Sequence, residues 1–273
     1  MSDLPRPVLL VGGGKMGGAL LEGWLARGLP AAEAHIVEPD AERRAALARF
    51  GPVGLHASVA GLPADLRPAA VVLAVKPQVM ETVLAEVAEV AGRSGFVLSI
   101  AAGKEIAAFE RALGGDRPIV RAMPNTPAAV GRGMTVLCAN AACGAGIRRG
   151  AEALMAAVGD VAWIEDEELM HAVTALSGSG PAYVFLLAEA MAAAGARLGL
   201  PPPLAERLAR RTVSGAGELL HRSDSPASEL RRAVTSPGGT TEAALRVLMG
   251  PEGLERLLSD AVAAAARRSR ELA

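Results

Sequence analysis

Short runs of apolar residues alternate with amphipathic stretches over roughly the first 165 residues of the chain. The apolar runs fall at residues 7–12, 34–38, 70–75, 95–100 and 117–122. Residues 15–28 have the apolar spacing of a helix that ends at Gly28, and a charged helical stretch follows the second run. Continuous apolar strands separated by helices are typical of a parallel sheet covered on both faces. The pattern therefore predicts a doubly wound α/β domain over residues 1–165.

The strand pattern ends with a last strand signal at residues 161–166, and helical periodicity continues from there to the end of the chain. Helices are predicted at residues 181–199, 201–221, 225–236, 240–250 and 253–272. The pattern thus predicts a second, all-helical domain over residues 166–273. Its first helix is apolar nearly all round, so it is buried either within its own monomer or by a second copy. A bundle of about 100 residues has limited means of burying such a helix, so we expect a homodimer.

Composition and charge exclude several functional classes. The chain has 28 Lys and Arg against 29 Asp and Glu, whereas nucleic-acid and membrane-surface partners favour a basic excess. No signal-peptide pattern is visible and the apolar runs are too short to span a bilayer, so a cytoplasmic location is expected. Cys138 and Cys143 fit neither a zinc site nor a redox pair, and the four histidines form no metal-binding spacing. We therefore expect no metal.

A glycine-rich segment, VGGGKMG at residues 11–17, follows the first predicted strand and opens the first predicted helix. We call it the glycine loop. It contains the G-x-G-x-x-G pattern at Gly12, Gly14 and Gly17, in which glycines let the backbone approach a pyrophosphate at a helix N-terminus. The plainer reading is a tight strand-to-helix turn. Its position in a βαβ pattern favours a dinucleotide site.

Glu38 ends the second predicted strand, where an acid commonly binds ribose hydroxyls and repels a 2′-phosphate. This position favours NADH. Arg43 and Arg44 lie just beyond it and keep NADPH open, because they would receive that phosphate if they point inward. The ordinary role of these arginines is a solvated helix face.

Two further segments end predicted strands, AVKP at residues 74–77 and SIAAG at residues 99–103. An open α/β sheet binds its ligand at the carboxyl ends of its strands, so both segments are expected at the cofactor site. Lys76 would contact ribose or phosphate there, or extend into water.

The SPGGTT segment at residues 236–241, which we call the threonine loop, precedes another predicted helix. Backbone amides of Gly238, Gly239, Thr240 and Thr241 at a helix N-terminus can bind a small anion without any cationic side chain. The plainer alternative is that Thr240 caps the helix and the glycines form a turn.

Six segments occur in this order along the chain: VGGGKMGGAL, AVKP, SIAAG, RAMPNTPAAVGRGMT at residues 121–135, ALSGSGPAYVF at residues 175–185 and SPGGTTEAAL. With these segments the chain closely resembles pyrroline-5-carboxylate reductases over essentially its whole length. The resemblance implies an N-terminal Rossmann-type domain, a C-terminal helical dimerisation domain, and hydride transfer from NADPH or NADH to 1-pyrroline-5-carboxylate to give proline. It also implies homodimers that assemble further, typically as a decamer of five dimers.

The resemblance also assigns site residues. It implies cofactor binding by Val11, Gly12, Gly13, Gly14, Lys15, Met16, Gly17, Glu38, Ala74, Val75, Lys76, Pro77, Ile100, Ala101, Ala102 and Asn125. It implies substrate binding by Ser177, Gly178, Ser236, Gly238, Gly239, Thr240 and Thr241. Thr241 is the implied catalytic residue, nearest the substrate nitrogen. Lys15 and Glu38 depart from many members, which carry a neutral and a small polar side chain there, so cofactor choice stays open.

Two other functions are weighed against this one. A β-hydroxyacid dehydrogenase has a similar plan but uses a lysine on the long helix of its second domain, and this chain has no lysine after Lys104. A dinucleotide-binding module without turnover would not need the intact threonine loop.

Overall fold

The computed structural model describes residues 4–273 and divides the chain into two compact units. The first unit contains the residues through Gly178 together with Ala266–Ala273, and the second is Ser179–Ala265. The sequence pattern places the end of the α/β domain at residue 165. In the structure the first unit extends to Gly178, because Met170 is fully buried in one of the two cores that cover the sheet.

The first unit contains an eight-stranded sheet. Its strands are β1 (Val8–Val11), β2 (Ala34–Val37), β3 (Gly54–His56), β4 (Ala70–Leu73), β5 (Phe96–Ser99), β6 (Ile119–Met123), β7 (Gly133–Ala139) and β8 (Gly159–Trp163). They lie in the order β3-β2-β1-β4-β5-β6-β7-β8. Because β1 lies between β2 and β4, the direction of winding reverses beside it, and this is where doubly wound sheets bind ligands.

Alternation of side chains along the central strands builds a core on each face of the sheet. Leu10, Val72 and Leu98 are buried in one core, whereas their neighbours Leu9 and Val71 are buried in the other. Strands covered on both faces need apolar residues at every position, which explains the continuous apolar runs in the sequence. The predicted doubly wound sheet is confirmed.

The sequence pattern predicted a parallel sheet, but one adjacent pair of strands is antiparallel. Strand β7 runs antiparallel to β6, while every other adjacent pair of described strands is parallel. A parallel return needs a crossover of about a dozen residues or more. The segment after β6 holds only the 3-10 turn Thr126–Val130, so the chain turns straight back. Strands β3 and β7 were not anticipated.

Helices flank the sheet and form the second unit. Those of the first unit are α1 (Lys15–Ala26), α2 (Ala41–Leu47), α3 (Met80–Gly92), α4 (Ile106–Leu113), α5 (Ala145–Ala156) and α6 (Met170–Val173), and α6 continues into a π-helical turn at Thr174–Gly178. The second unit contains α7 (Gly180–Arg197), α8 (Pro202–Arg222), α9 (Ala227–Ala233), α10 (Thr240–Leu248) and the larger part of α11 (Leu254–Glu271). The all-helical second domain is confirmed. Within the described residues, no helix combines the length and apolar character needed to cross a bilayer.

Candidate active site

The glycine loop lies at the carboxyl end of β1, at the reversal of winding. Gly12 has φ +102°, and a Cβ atom there would lie 2.7 Å from the carbonyl oxygen of Ala74. Its N–H donates to the carbonyl of Val37 at 2.8 Å, which holds the loop against the end of β2. Only glycine tolerates both this conformation and this approach. The backbone therefore bends at Gly12, and α1 begins directly after Gly14.

The first turn of α1 presents free amides. Gly14 is the N-cap and supplies no side-chain cap. Among residues 4–273, none accepts a hydrogen bond from the N–H groups of Lys15, Met16 or Gly17, since the first helical bond runs from Gly18 to Gly14. A Cβ atom on Gly14 would meet nothing within 4 Å, so space adjoins these amides. Open amides at a helix N-terminus suit a pyrophosphate.

Glu38 is held at the end of β2 by several donors. Its side chain is buried and accepts hydrogen bonds from the N–H of Gly13 at 2.8 Å and from that of Asp40 at 3.0 Å. Arg43 Nε donates to the same carboxylate at 3.3 Å. The carboxylate is thus a fixed negative charge that is bonded directly to the glycine loop.

The two arginines that sequence analysis set beside Glu38 are placed differently from each other. Arg43 pairs with the Glu38 carboxylate, while Arg44 Nη1 donates to the carbonyls of Glu38 at 2.7 Å and Pro39 at 3.0 Å. Both guanidinium groups therefore lie against the end of β2 and are not simply solvated. The same corner lowers the pKa of Asp40, chiefly because its carboxylate accepts the Arg43 N–H at the start of α2.

The other predicted cofactor residues share this edge of the sheet. Val11 pairs with Val37 of β2 and Leu73 of β4, and Leu73 pairs with Ser99 of β5. The segments that follow these strands, at residues 12–17, 74–77 and 100–102, are consequently brought to one edge. Within them, Ala101 is buried, whereas Lys15, Lys76 and Ala102 are exposed.

Asn125 links the turn after β6 to the π-helical turn. Its Oδ1 accepts the N–H of Met134 at 2.9 Å, and its Nδ2 lies 3.2 Å from Ser177 Oγ and 3.3 Å from the Ser177 carbonyl. Gly178 packs beside Met123, whose Cε would lie 2.5 Å from an added Cβ. The structure thus brings together Asn125, Ser177 and Gly178, which were predicted to bind cofactor or substrate. Both the oxygen and the nitrogen of the Asn125 side-chain amide form hydrogen bonds here.

The threonine loop leads into α10 in the second unit. Gly238 has φ +71°, and the N-cap of α10 is Gly239, with no side-chain cap. Capping by Thr240 is therefore a wrong expectation, because Thr240 is already the first helical residue. Two of the four predicted anion-binding amides are engaged, since Gly238 N–H donates to Glu242 Oε2 at 2.7 Å and Gly239 N–H to the Ser236 carbonyl at 3.0 Å.

The remaining donors of the threonine loop are available. Within the part of the chain that the structure describes, no group accepts from the N–H of Thr240, Thr241 or Glu242, and none bonds the Thr241 hydroxyl. Thr241 is half-buried and Thr240 is exposed. A small anion is therefore offered three consecutive amides and two hydroxyls.

Comparisons with known proteins agree over the full length of the chain. The family model described as pyrroline-5-carboxylate reductase dimerisation matches residues 167–272, which include the threonine loop. A pyrroline-5-carboxylate reductase of Pseudomonas aeruginosa is 44% identical over 269 residues, covering 98% of this chain and 97% of that protein. The chain belongs to the pyrroline-5-carboxylate reductase family.

Solved structures extend this similarity to the fold. A pyrroline-5-carboxylate reductase from Coxiella burnetii superposes with a TM-score of 0.91 at 35% identity, covering 98% of this chain and 99% of that one. The Plasmodium falciparum enzyme, solved with NADP bound, has a TM-score of 0.80 at 28% identity, covering 100% and 99% of the two chains. Residues 7–103, which carry the glycine loop, also match the model described as NADP oxidoreductase coenzyme F420-dependent. The chain is an NAD(P)H-dependent oxidoreductase with a family-typical dimerisation domain.

An ion pair that involves a buried arginine was not predicted from the sequence. Arg121 on β6 is 3% exposed, and its Nη1 lies 2.7 Å from Glu167 Oε1. The same oxygen accepts the N–H of Ile106 at 2.9 Å and so caps α4. The available signal was an arginine inside an apolar strand, because such a residue is buried only when it is paired.

Replacing Glu167 by Gln is expected to lower the free energy of unfolding by about 3 kcal/mol, because it leaves the Arg121 charge buried without its partner. Denaturant unfolding of the assembled protein measures this change. Glu165→Gln is the matched control, since it removes the exposed pair with Arg148 and should leave stability unchanged. Equal effects in both variants would contradict the importance of burial.

A second group unites residues that are distant in sequence. Ligand atoms of Glu105, Glu168 and His171 lie within 4.8 Å of one another. His171 is buried, and its Nδ1 lies 3.0 Å from Ser269 Oγ. Both carboxylates are exposed, as acidic groups without an ion commonly are, and we assign no metal here.

Proposed function

We infer that this chain reduces the cyclic imine 1-pyrroline-5-carboxylate to L-proline with a hydride from NAD(P)H, the last step of proline biosynthesis. The observation that carries this function is the full-length match at 44% identity to a curated reductase, which extends through both the glycine loop and the threonine loop. The test is oxidation of NADH and of NADPH in the presence of pyrroline-5-carboxylate. No oxidation with either cofactor would refute the function and favour a non-catalytic module.

The reaction needs a hydride at the imine carbon, a proton at the imine nitrogen and a fixed substrate orientation. The nicotinamide supplies the hydride when bound. Because an imine is basic enough to be partly protonated in water, the protein need only bind and orient the iminium, and a hydroxyl directed at nitrogen assists. Holding the two reactants in the correct position and orientation lowers the activation free energy by up to roughly 7–11 kcal/mol in ideal cases.

We propose that the glycine loop and the strand ends beside it hold the cofactor. The free amides of Lys15, Met16 and Gly17 would bind the pyrophosphate, and the absence of a Cβ at Gly14 leaves room for it. Residues 74–77 and 100–102 would continue the site toward the ribose and nicotinamide. Ser177 and Gly178, fixed by Asn125 and Met123, would form its wall.

We propose that the substrate carboxylate binds the threonine loop. The amides of Thr240 and Thr241 and the first-turn N–H of Glu242 would receive it, with Ser236, Gly238 and Gly239 shaping the turn. Thr241 would be the catalytic residue, because no described residue bonds its hydroxyl and Thr241 is the middle one of the three residues whose amides would hold the carboxylate. Such a site uses helix-terminal amides and needs no cationic side chain.

We propose that NADH is the preferred cofactor. The Glu38 carboxylate is buried and bonded to the Gly13 N–H, so it cannot turn away from a 2′-phosphate without breaking the glycine loop contact. Arg43 offsets part of this charge but is already paired with it. The Plasmodium falciparum relative was solved with NADP, so the family does not fix the preference.

Glu38→Gln is expected to raise kcat/KM for NADPH relative to NADH by roughly tenfold, because it removes a negative charge near the 2′-phosphate and retains an acceptor for Gly13. Steady-state kinetics with both cofactors measures the ratio. Glu33→Gln, which neutralises an acid before β2, is the control. A wild-type enzyme that strongly prefers NADPH would overturn this proposal.

We propose that a second copy covers α7 in a homodimer, and that five such dimers form a decamer. No residue of α7 is buried within the chain, and Phe185 and Leu186 are 64% and 63% exposed. Large apolar side chains in such number mark an interaction surface. The decamer follows only from resemblance.

Phe185→Glu is expected to shift the protein toward monomer at micromolar concentration, because it places a charge in an apolar interface. Light scattering coupled to size exclusion measures the mass of wild type and variant. Glu206→Gln, on the exposed face of α8, is a control that should keep the wild-type mass. A monomeric wild-type protein would contradict the proposal.

A further inference from the structure

Glu242 places a negative charge in the threonine loop itself. It lies in the first turn of α10, and its Oε2 accepts the Gly238 N–H at 2.7 Å. The same oxygen is 3.9 Å from Arg246 Nη2, one helical turn further on. The loop proposed to bind the substrate carboxylate therefore already holds a carboxylate of its own chain.

An incoming carboxylate would meet this charge at close range. The donors available to the substrate carboxylate are the free amides of Thr240, Thr241 and Glu242, so the Glu242 side chain is attached to one of the binding residues. Gly238, which would widen the donor set, is already bonded to Glu242. Two carboxylates that share one helix N-terminus repel each other, so the internal one disfavours the second.

We propose that Glu242 is an internal competitor of the substrate carboxylate and thereby sets the KM for pyrroline-5-carboxylate. When the substrate binds, the Glu242 side chain leaves Gly238 and pairs with Arg246, which is close enough to receive it by side-chain rotation. This inference rests on the proposed substrate site in the threonine loop. It assigns Glu242 a positioning and specificity role, without contact to the reacting atoms.

A purely structural role for Glu242 gives the opposite expectation. An acid in the first helical turn stabilises the turn through its hydrogen bond and through the helix dipole. If that were its only role, any loss of charge would loosen the loop and raise KM. Gln separates the two cases, because it keeps an acceptor oxygen for Gly238 and removes only the charge.

The decisive experiment compares Glu242→Gln with wild type, using pyrroline-5-carboxylate and the analogue 1-pyrroline, which has the same cyclic imine but lacks the carboxylate. The KM for pyrroline-5-carboxylate should fall roughly threefold to tenfold, with kcat within about twofold and the KM for NADH unchanged. The KM for 1-pyrroline should not fall. Arg246→Gln, which removes the alternative partner, should raise the KM for pyrroline-5-carboxylate.

Glu229→Gln is the matched control, because Glu229 lies in the first turn of α9 and is likewise 3.9 Å from an arginine, Arg232. It should leave both KM values unchanged. A KM for pyrroline-5-carboxylate that stays constant or rises in Glu242→Gln overturns the inference, as does an equal fall for 1-pyrroline.

Failure of the proposed substrate site is recognised separately. If the wild-type enzyme has the same KM for pyrroline-5-carboxylate and for 1-pyrroline, the threonine loop does not hold the substrate carboxylate, and the inference falls with it. If the KM for 1-pyrroline is higher while Glu242→Gln shows no fall in the KM for pyrroline-5-carboxylate, only the competition by Glu242 is refuted.

Discussion

Replacing Thr241 by Ala is expected to lower kcat/KM for pyrroline-5-carboxylate by roughly 100-fold, the lower range of what a positioned proton-donating group contributes. The hydroxyl is half-buried, and no described residue bonds it, so it is available to orient the iminium nitrogen. The glycine loop belongs to the first unit of the chain, so the affinity for NADH should barely change. Steady-state kinetics together with NADH fluorescence titration separates these two effects.

Two variants control this experiment. Thr241→Ser retains a hydroxyl and should recover most of the activity, whereas Thr241→Val preserves the shape and should not. Thr240→Ala removes the neighbouring, exposed hydroxyl and should cost less. Wild-type kinetics in Thr241→Ala would refute the catalytic assignment.

Gly12→Ala is expected to reduce NADH affinity by at least about tenfold and to destabilise the first unit by roughly 1–3 kcal/mol, the cost of a residue forced into a disfavoured backbone region. Gly12 has φ +102°, and the added Cβ would lie 2.7 Å from the backbone oxygen of Ala74. Neither obstacle can be relieved by a side-chain rotation, so the loop must move away from β4. Fluorescence titration with NADH and thermal unfolding measure the two losses.

Gly18→Ala is the matched control for Gly12→Ala. It lies in α1, and an added Cβ would meet nothing within 4 Å. Because Ala favours the helix over Gly by about 1 kcal/mol, this variant should be at least as stable as wild type and should bind NADH normally. Loss of NADH binding in both variants would show that this segment tolerates no added methyl group, and it would contradict a special role for the backbone conformation of Gly12.

The sequence pattern was sufficient to predict the sheet of the first unit and the helices that cover it. Buried central strands such as β1 and β4 need apolar residues at every position, so they stand out as continuous runs. Strand β3 is three residues long and only partly buried, which leaves almost no periodic signal. The direction of β7 is set by the length of its connection to β6 and not by its own composition.

The candidate site was predictable where local geometry restricts the residue type. Gly12 and Gly238 have φ values of +102° and +71°, and these conformations favour glycine over other residues. Glu242 was not anticipated, because an acid in the first helical turn is ordinary and its bond to Gly238 depends on how the loop closes. Arg121 and Glu167 were likewise paired only by folding, since they lie on different elements.

The sequence by itself determined the two-part architecture, the position of the glycine loop and the family, because periodicity, glycine placement and motif order are written along the chain. Only the tertiary structure decided which amides are free and which charges are held. Glu38 is tied to Gly13, Glu242 occupies Gly238, and Thr240 does not cap α10. The physical reason is that a hydrogen bond depends on distance and direction in space, which residues adjacent in sequence do not specify.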